Sequence, residues 1–163
     1  MTKTNVKAVE LTKIGIVAAL YAVLTVALSF MSYGAIQIRL SEAFNNLVVF
    51  NKRYIWAVTL GCALANIWSS LGAVDVIFGT LGTLVMTVIS RYLSQKVKSV
   101  PLKLAITVVI CTLMMWSVAL ELHLISNAPF WWTYFTVALG EFISMTIGAI
   151  IVWMVSQKMD LTK

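Results

Sequence analysis

Between Ile36 and Gly82 the chain carries Arg39, Glu42, Asn45, Asn46, Asn66 and Asp75 in a background apolar enough to live in a lipid bilayer. A charged or amide side chain inside hydrocarbon costs at least a few kcal/mol. A segment that keeps six of them is expected to build a polar pocket or a polar helix contact. The favoured expectation is that these groups form much of a binding site for a small polar solute.

The remainder of the chain makes the bilayer its solvent. Its 163 residues are 61% hydrophobic, with a mean hydropathy of +0.95, against roughly 45–50% apolar residues in a typical soluble domain. A soluble fold of this size has no interior large enough for so much apolar surface. One all-α membrane domain over residues 1–163 is expected, with six helices at about Leu11–Phe30, Ile38–Phe50, Tyr54–Leu71, Val74–Leu93, Leu102–Leu122 and Phe130–Gln157. The second segment is short against the ~20 residues that cross hydrocarbon, and is read as a tilted helix surrounded by protein. Pro101 and Pro129 sit at helix starts, where a missing N–H is tolerated. No A-x-A site follows the first apolar run, so no cleaved signal peptide is expected. Cys62 and Cys111 lie within apolar runs and read as packing residues, not a disulfide or metal site.

The net charge of +6 reflects topology and not nucleic-acid binding. Lys3, Lys7, Lys13, Lys52, Arg53, Arg91, Lys96, Lys98, Lys103, Lys158 and Lys163 fall at alternate segment ends, and Arg39 alone falls on the other side. By the positive-inside rule the eleven mark the cytoplasmic face, which places both termini there in a plasma-membrane protein.

The acidic residues point to the site. Glu10 and Asp160 read as solvated, whereas Glu42, Asp75, Glu121 and Glu141 map to the middle or outer half of the bundle. Glu141 stands about eleven residues into the last helix, or ~16 Å deep at 1.5 Å per residue, and needs a partner, a proton or water there. Its neighbours at helical spacing are Tyr134, Ser144, Met145 and Gly148. Glu42, Asn66, Asp75 and Glu141 are expected to converge, with Arg39, Trp68, Glu121, His123 and Trp131 at the rim or walls. Plainer readings stand beside these. Arg39 and Glu42 at i,i+3 also suit an interfacial ion pair, Asp75 after Gly72-Ala73-Val74 a helix cap, Asn66 a helix–helix bond, and His123 a loop position. Trp131, Trp132 and Tyr134 fit an interfacial belt as well as an aromatic wall.

The first helix offers Gly15/Ala19 and Ala18/Ala22, two small-xxx-small pairs that permit close helix approach. With almost no polar group, this face is expected to meet another helix, in the bundle or on a partner subunit. Walker, H-E-x-x-H, Cys/His and Ser/His/Asp signatures are missing, so no enzyme activity, metal or cofactor is expected and active transport needs a separate motor.

The alanine-rich first helix, IQIRLSEAFNNLVVF and ALANIWSSLGAVDVIFGTLGTL together resemble the QueT family over nearly the whole chain. R-L-S-E-A and N-x-x-S-x-x-G-x-x-D-x-x-x-G-T are the most specific parts. The resemblance implies a substrate-binding S component of an energy-coupling factor (ECF) transporter. It also implies a coupling membrane protein and two ATPases as partners, a toppling motion that carries solute inward, and a queuosine precursor such as preQ0, preQ1 or queuine as substrate. The chemistry fits. A carboxylate accepts the paired N–H donors of a guanine-like edge, aromatic rings stack on a flat base, and a second carboxylate neutralises the amine of preQ1 or queuine. The alternatives are an S component for another vitamin-like solute, a self-sufficient proton-coupled carrier using Glu141, and a membrane subunit whose polar groups only hold helices together.

Overall fold

The computed structural model describes residues 3–32, 38–69 and 71–162; Ser70 and the start of the polar stretch at Ile36 lie outside them. The elements are α1 (Lys3–Ala27), α2 (Ser29–Ser32), a 3-10 helix (Leu40–Val49), α3 (Arg53–Asn66), α4 (Ala73–Ser94), α5 (Val100–Met114), α6 (Trp116–Ser126) and α7 (Phe130–Ser156). No strand occurs among the described residues. Among the described residues, four stretches are long and apolar enough to cross a membrane: Lys7–Ala27, Ala73–Ser94, Val100–Ser126 and Phe130–Ser156. Large apolar side chains such as Leu11, Val23, Trp56, Ile77, Leu113 and Ile150 point outward, while Thr25, Asn45, Asn46, Asn66, Thr87 and Ser144 are fully buried. This inversion suits a chain with lipid around it and polar groups satisfied within.

Several boundaries differ from the sequence expectation. The second segment is a 3-10 helix, not a tilted α-helix. Ten residues at about 2.0 Å rise cover roughly 20 Å, against roughly 15 Å in α form. Three residues per turn also stack i on i+3, so Asn45 reaches Glu42 and the Asn46 amide donates to Ala43 O at 3.2 Å. Its last turn is clamped from α4, where Arg91 Nη1 donates to Val48 O at 2.6 Å and Gln95 Nε2 to Val49 O at 2.9 Å. The third segment ends at Asn66 instead of Leu71. There the Asn66 side chain turns across to Asp75 O at 3.0 Å, and Gly72 at φ +61° reverses the chain into α4. The fifth is split at Met115, whose N–H bonds Thr112 O in a 3-10 manner before α6 continues. The first begins earlier, at Lys3, and its outer turn breaks after Ala27. Pro101 and Pro129 open α5 and α7 as expected.

The 3-10 helix is the axis of the fold, in contact with α1, α3, α4, α5 and α7. At α7 the approach is close enough that a Cβ on Gly148 would lie 2.5 Å from Ala43 Cβ and 2.9 Å from its carbonyl oxygen. Among the described residues two apolar cores form, one around Tyr21, Val48, Val58 and Cys62, which includes the end of the 3-10 helix, and the other around Met86, Cys111, Val137 and Met145. Both cysteines are free and buried.

The first helix corrects one expectation in part. Ala18 is not available to a partner subunit: it is buried, its carbonyl 2.9 Å from where a Gly61 Cβ would stand, and Ala22 packs partly against the same core. Gly61 is thus what lets α3 lie on α1. Gly15 and Ala19 remain exposed.

At the basic end one residue gathers distant parts of the chain. Arg53 is buried, with Nη1 3.5 Å from Glu10 and Nη2 donating to Thr162 O at 3.1 Å. Asn51 donates to the same carbonyl at 2.8 Å and the Tyr54 hydroxyl to Leu161 O at 3.3 Å.

Candidate functional site

The period of the 3-10 helix puts Glu42 and Asn45 on one line, and Arg39, the extended residue that caps its start, precedes them. Glu42 is 4% exposed. It accepts from the Tyr21 hydroxyl at 2.5 Å and from the Asn45 amide on its other oxygen. One turn along α1, Thr25 donates to Ser41 Oγ at 2.6 Å. Asn46 reaches the other way, its amide donating to Met145 O at 3.1 Å, and so ties the 3-10 helix to α7.

Arg39 faces the end of α3 and the start of α4. Its Nη2 stands 3.8 Å from Asp75 Oδ2, and its Nη1 donates to Asn66 Oδ1 at 3.3 Å. Asn66 in turn donates to the Asp75 carbonyl. This triangle requires Gly79, because a Cβ there would collide with the Asn66 amide. Asp75 sits in the first turn of α4 without capping it; the N-cap is Gly72 and no side-chain cap bond forms. Its carboxylate serves the ion pair with Arg39.

Arg39, Glu42 and Glu141 meet around a cavity of about 30 Å³. Thr83 and Ser117 add hydroxyls, Phe78, Met86, Met115, Val118 and Val137 make the apolar walls, and Gly79 and Gly82 keep the α4 side open. Glu141 is 3% exposed and its Oε1 has no hydrogen-bond partner. A buried carboxylate oxygen without a donor costs on the order of 1–3 kcal/mol, so this is an acceptor held ready inside a pocket. A cavity of that size has room for about two waters. A flat bicyclic solute therefore needs the walls to move, and Met86 and Met115 are the residues whose unbranched chains repack most readily.

Of the nine expected site residues, Glu42, Glu141 and Arg39 line the cavity, and Asn66 and Asp75 stand behind Arg39. Glu121 is 1% exposed on α6 with an unpartnered Oε1, one turn beyond Ser117 and Val118 and outside the lining. The structure does not bring Trp68, His123 or Trp131 to the cavity. Trp68 and Trp131 are exposed, at 64% and 78%, where a ring facing lipid or the interface is at home. His123 lies in the last turn of α6, with Nδ1 2.7 Å from Ala128 O. Sequence reasoning missed Tyr21, Thr25, Thr83 and Ser117. Ala18, Tyr21 and Thr25 recur at helical spacing on α1, and this was the available signal for a polar inner face.

A family model of the QueT transporter matches residues 11–157. The chain belongs to the QueT transporter family. It is 39% identical to the "Queuosine precursor transporter QueT" of Lactococcus lactis subsp. cremoris (strain MG1363), over 166 residues that span 96% of this chain and 98% of that protein. No solved structure matches it. QueT proteins are membrane transporters, a non-enzymatic role.

Proposed function

We propose that this chain captures a queuosine precursor, a 7-deazaguanine, as the solute-binding subunit of an ECF-type importer, and that a coupling membrane protein and two ATPases drive its release inward. Glu141 carries the reading: a nearly inaccessible carboxylate with an unpartnered oxygen on the wall of the cavity. A guanine-like edge presents adjacent N–H donors, and a carboxylate in a low dielectric accepts such a pair strongly. Glu42 and Arg39 flank it, held in place by Tyr21, Asn45, Asn66 and Asp75. The substrate named for the Lactococcus relative supports the same chemistry.

The arrangement in the membrane is part of the proposal. All six apolar segments, including the short 3-10 helix and α3, are taken to cross or nearly cross the bilayer inside the bundle. Both termini lie in the cytoplasm, which the meeting of Glu10 and Thr162 on Arg53 supports.

Calorimetric titration of the purified chain with 7-deazaguanines, guanine as control, tests the site. Charge-assisted hydrogen bonds contribute ~1.5–3 kcal/mol, so Glu141→Gln is expected to weaken binding about ten- to a hundredfold. Unchanged affinity in a folded Glu141→Gln protein removes this residue from the site. The same unpartnered carboxylate also suits a proton-coupled carrier. Uptake into liposomes with and without the ECF motor separates the two, because a carrier works alone.

A further inference from the structure

On the outside of the bundle α5 and α7 leave a groove of about 350 Å³ between them. Its floor is Leu104 and Val108, both buried, and its sides are the exposed Val109 on α5 and Phe142, Ile150 and Trp153 on α7. Among the described residues that line it, Thr146 carries the one hydroxyl and none is charged. The groove is long and narrow. It runs on α5 from Pro101 to Val109, and on α7 from Trp153 back to Phe142. At 1.5 Å per residue those stretches span roughly 12 to 16 Å. A volume of about 350 Å³ over that length leaves a cross-section of roughly 25 Å². A helix with its side chains is about 10 Å across, about three times that section, whereas an extended hydrocarbon chain is as slender as the groove.

The groove opens at the basic end of the bundle. Lys98 stands just before Ser99, the N-cap of α5, and Pro101 in the groove wall follows. On α7 the wall residue Trp153 is followed by the Gln157 C-cap and then by Lys158. Each side of the groove thus ends at a lysine. Both lysines are exposed, and neither is in a salt bridge among the described residues. The acidic groups described at this end are already engaged, Glu10 with Arg53 and Asp160 with Thr162. Cations at the mouth of a slot too apolar for water suit a molecule with an anionic head and a hydrocarbon tail.

We propose that this groove is a binding site for an acidic phospholipid, whose acyl chain lies between α5 and α7 and whose phosphate is met by Lys98 and Lys158. The groove shares no residue with the solute cavity, whose α7 wall is Val137 and Glu141. A zwitterionic lipid brings the same tail, but its own ammonium group offsets the phosphate. The lysines therefore discriminate between headgroups, while the apolar walls take either tail.

Native mass spectrometry of the full-length protein, released from nanodiscs of equal parts phosphatidylglycerol and phosphatidylcholine, tests the site. One phosphatidylglycerol is expected to stay bound, favoured over phosphatidylcholine by about tenfold or more, the span given by two lysines near one anionic headgroup. Lys98→Gln combined with Lys158→Gln is expected to erase that preference while a lipid of either kind still occupies the groove. Ala105→Trp, at an exposed position in the wall, fills the groove and is expected to lose both lipids. Ile77→Trp, exposed on α4 away from the groove, is expected to lose neither. Equal retention of the two lipids by the wild type overturns the proposal without any variant having to fold. So does a preference that survives the double lysine variant, unchanged retention in Ala105→Trp, or the same loss in Ile77→Trp. An Ala105→Trp protein that keeps its lipid but no longer co-purifies with the coupling membrane protein makes the groove a subunit interface, and the proposal falls.

Discussion

The Tyr21 hydroxyl donates to Glu42 Oε1 at 2.5 Å, from α1 into the 3-10 helix, with Tyr21 fully buried and Glu42 nearly so. The first helix is therefore part of the scaffold that holds the cavity-lining Glu42. Tyr21→Phe keeps the ring and its packing but leaves one oxygen of Glu42 without its donor. Loss of one bond to a charged group predicts binding weaker by about tenfold and a lower melting temperature. Calorimetry and thermal unfolding of the purified variant check both, and a variant unchanged in both measurements denies Glu42 its supporting role.

Gly148 and Gly82 should behave in opposite ways. A Cβ at Gly148 collides with the backbone and side chain of Ala43, while a Cβ at Gly82 meets only Ser117 Oγ at 3.4 Å. Gly148→Ala is expected to destabilise by roughly 1–3 kcal/mol through overpacking. Gly82→Ala should fold normally but narrow a cavity that Gly82 lines, weakening ligand binding. Melting curves and titrations of the pair decide it; a Gly148→Ala protein as stable as the wild type contradicts the close approach.

On α1, Ala18 is buried and Ala19 exposed. Ala18→Trp is expected to disrupt the packing against Gly61 and lower stability outright. Ala19→Trp should leave the isolated protein folded and ligand-competent while blocking co-purification with the coupling subunit. Normal assembly of Ala19→Trp would place the partner surface elsewhere.

Topology is open to chemical labelling. With Cys62 and Cys111 replaced, Asn127→Cys in the turn between α6 and α7 should react with an impermeant maleimide in intact cells, and Lys158→Cys only after permeabilisation. The reverse pattern inverts the orientation drawn from the eleven basic residues.

The membrane environment, the organising role of the polar stretch, and the meeting of Glu42 and Glu141 were legible in the sequence, because buried charge in an apolar chain has few other uses; Arg39, expected at the rim, lines the cavity with them, and Asn66 and Asp75, expected to converge with them, stand behind Arg39. The winding of Leu40–Val49 was not. Both windings bring residues i and i+3 together, so a pair such as Glu42 and Asn45 reads the same in either. The early end of α3 was equally hidden, since it follows from a bond between Asn66 and Asp75 that only the tertiary fold creates. Trp68 and Trp131 were misplaced because a ring facing lipid and a ring facing a ligand leave the same mark in a sequence. Tyr21 was overlooked because its partner lies 21 positions away.

The clamps on the 3-10 helix give it the character of a stretched string. One end is engaged by Arg39 with Ser32, Asn66 and Asp75, the other by Arg91 and Gln95 on the carbonyls of Val48 and Val49. Rewound as an α-helix, the same ten residues would be roughly 5 Å shorter and each successive side chain would swing about 20° from its present bearing. The pitch, and with it the direction in which Glu42 and Asn45 point, is thus tuned by the distance between the two fastenings. Arg91, which lies outside the cavity lining, is in that sense a tuning peg: slackening it would turn Glu42 in the cavity wall without touching the cavity.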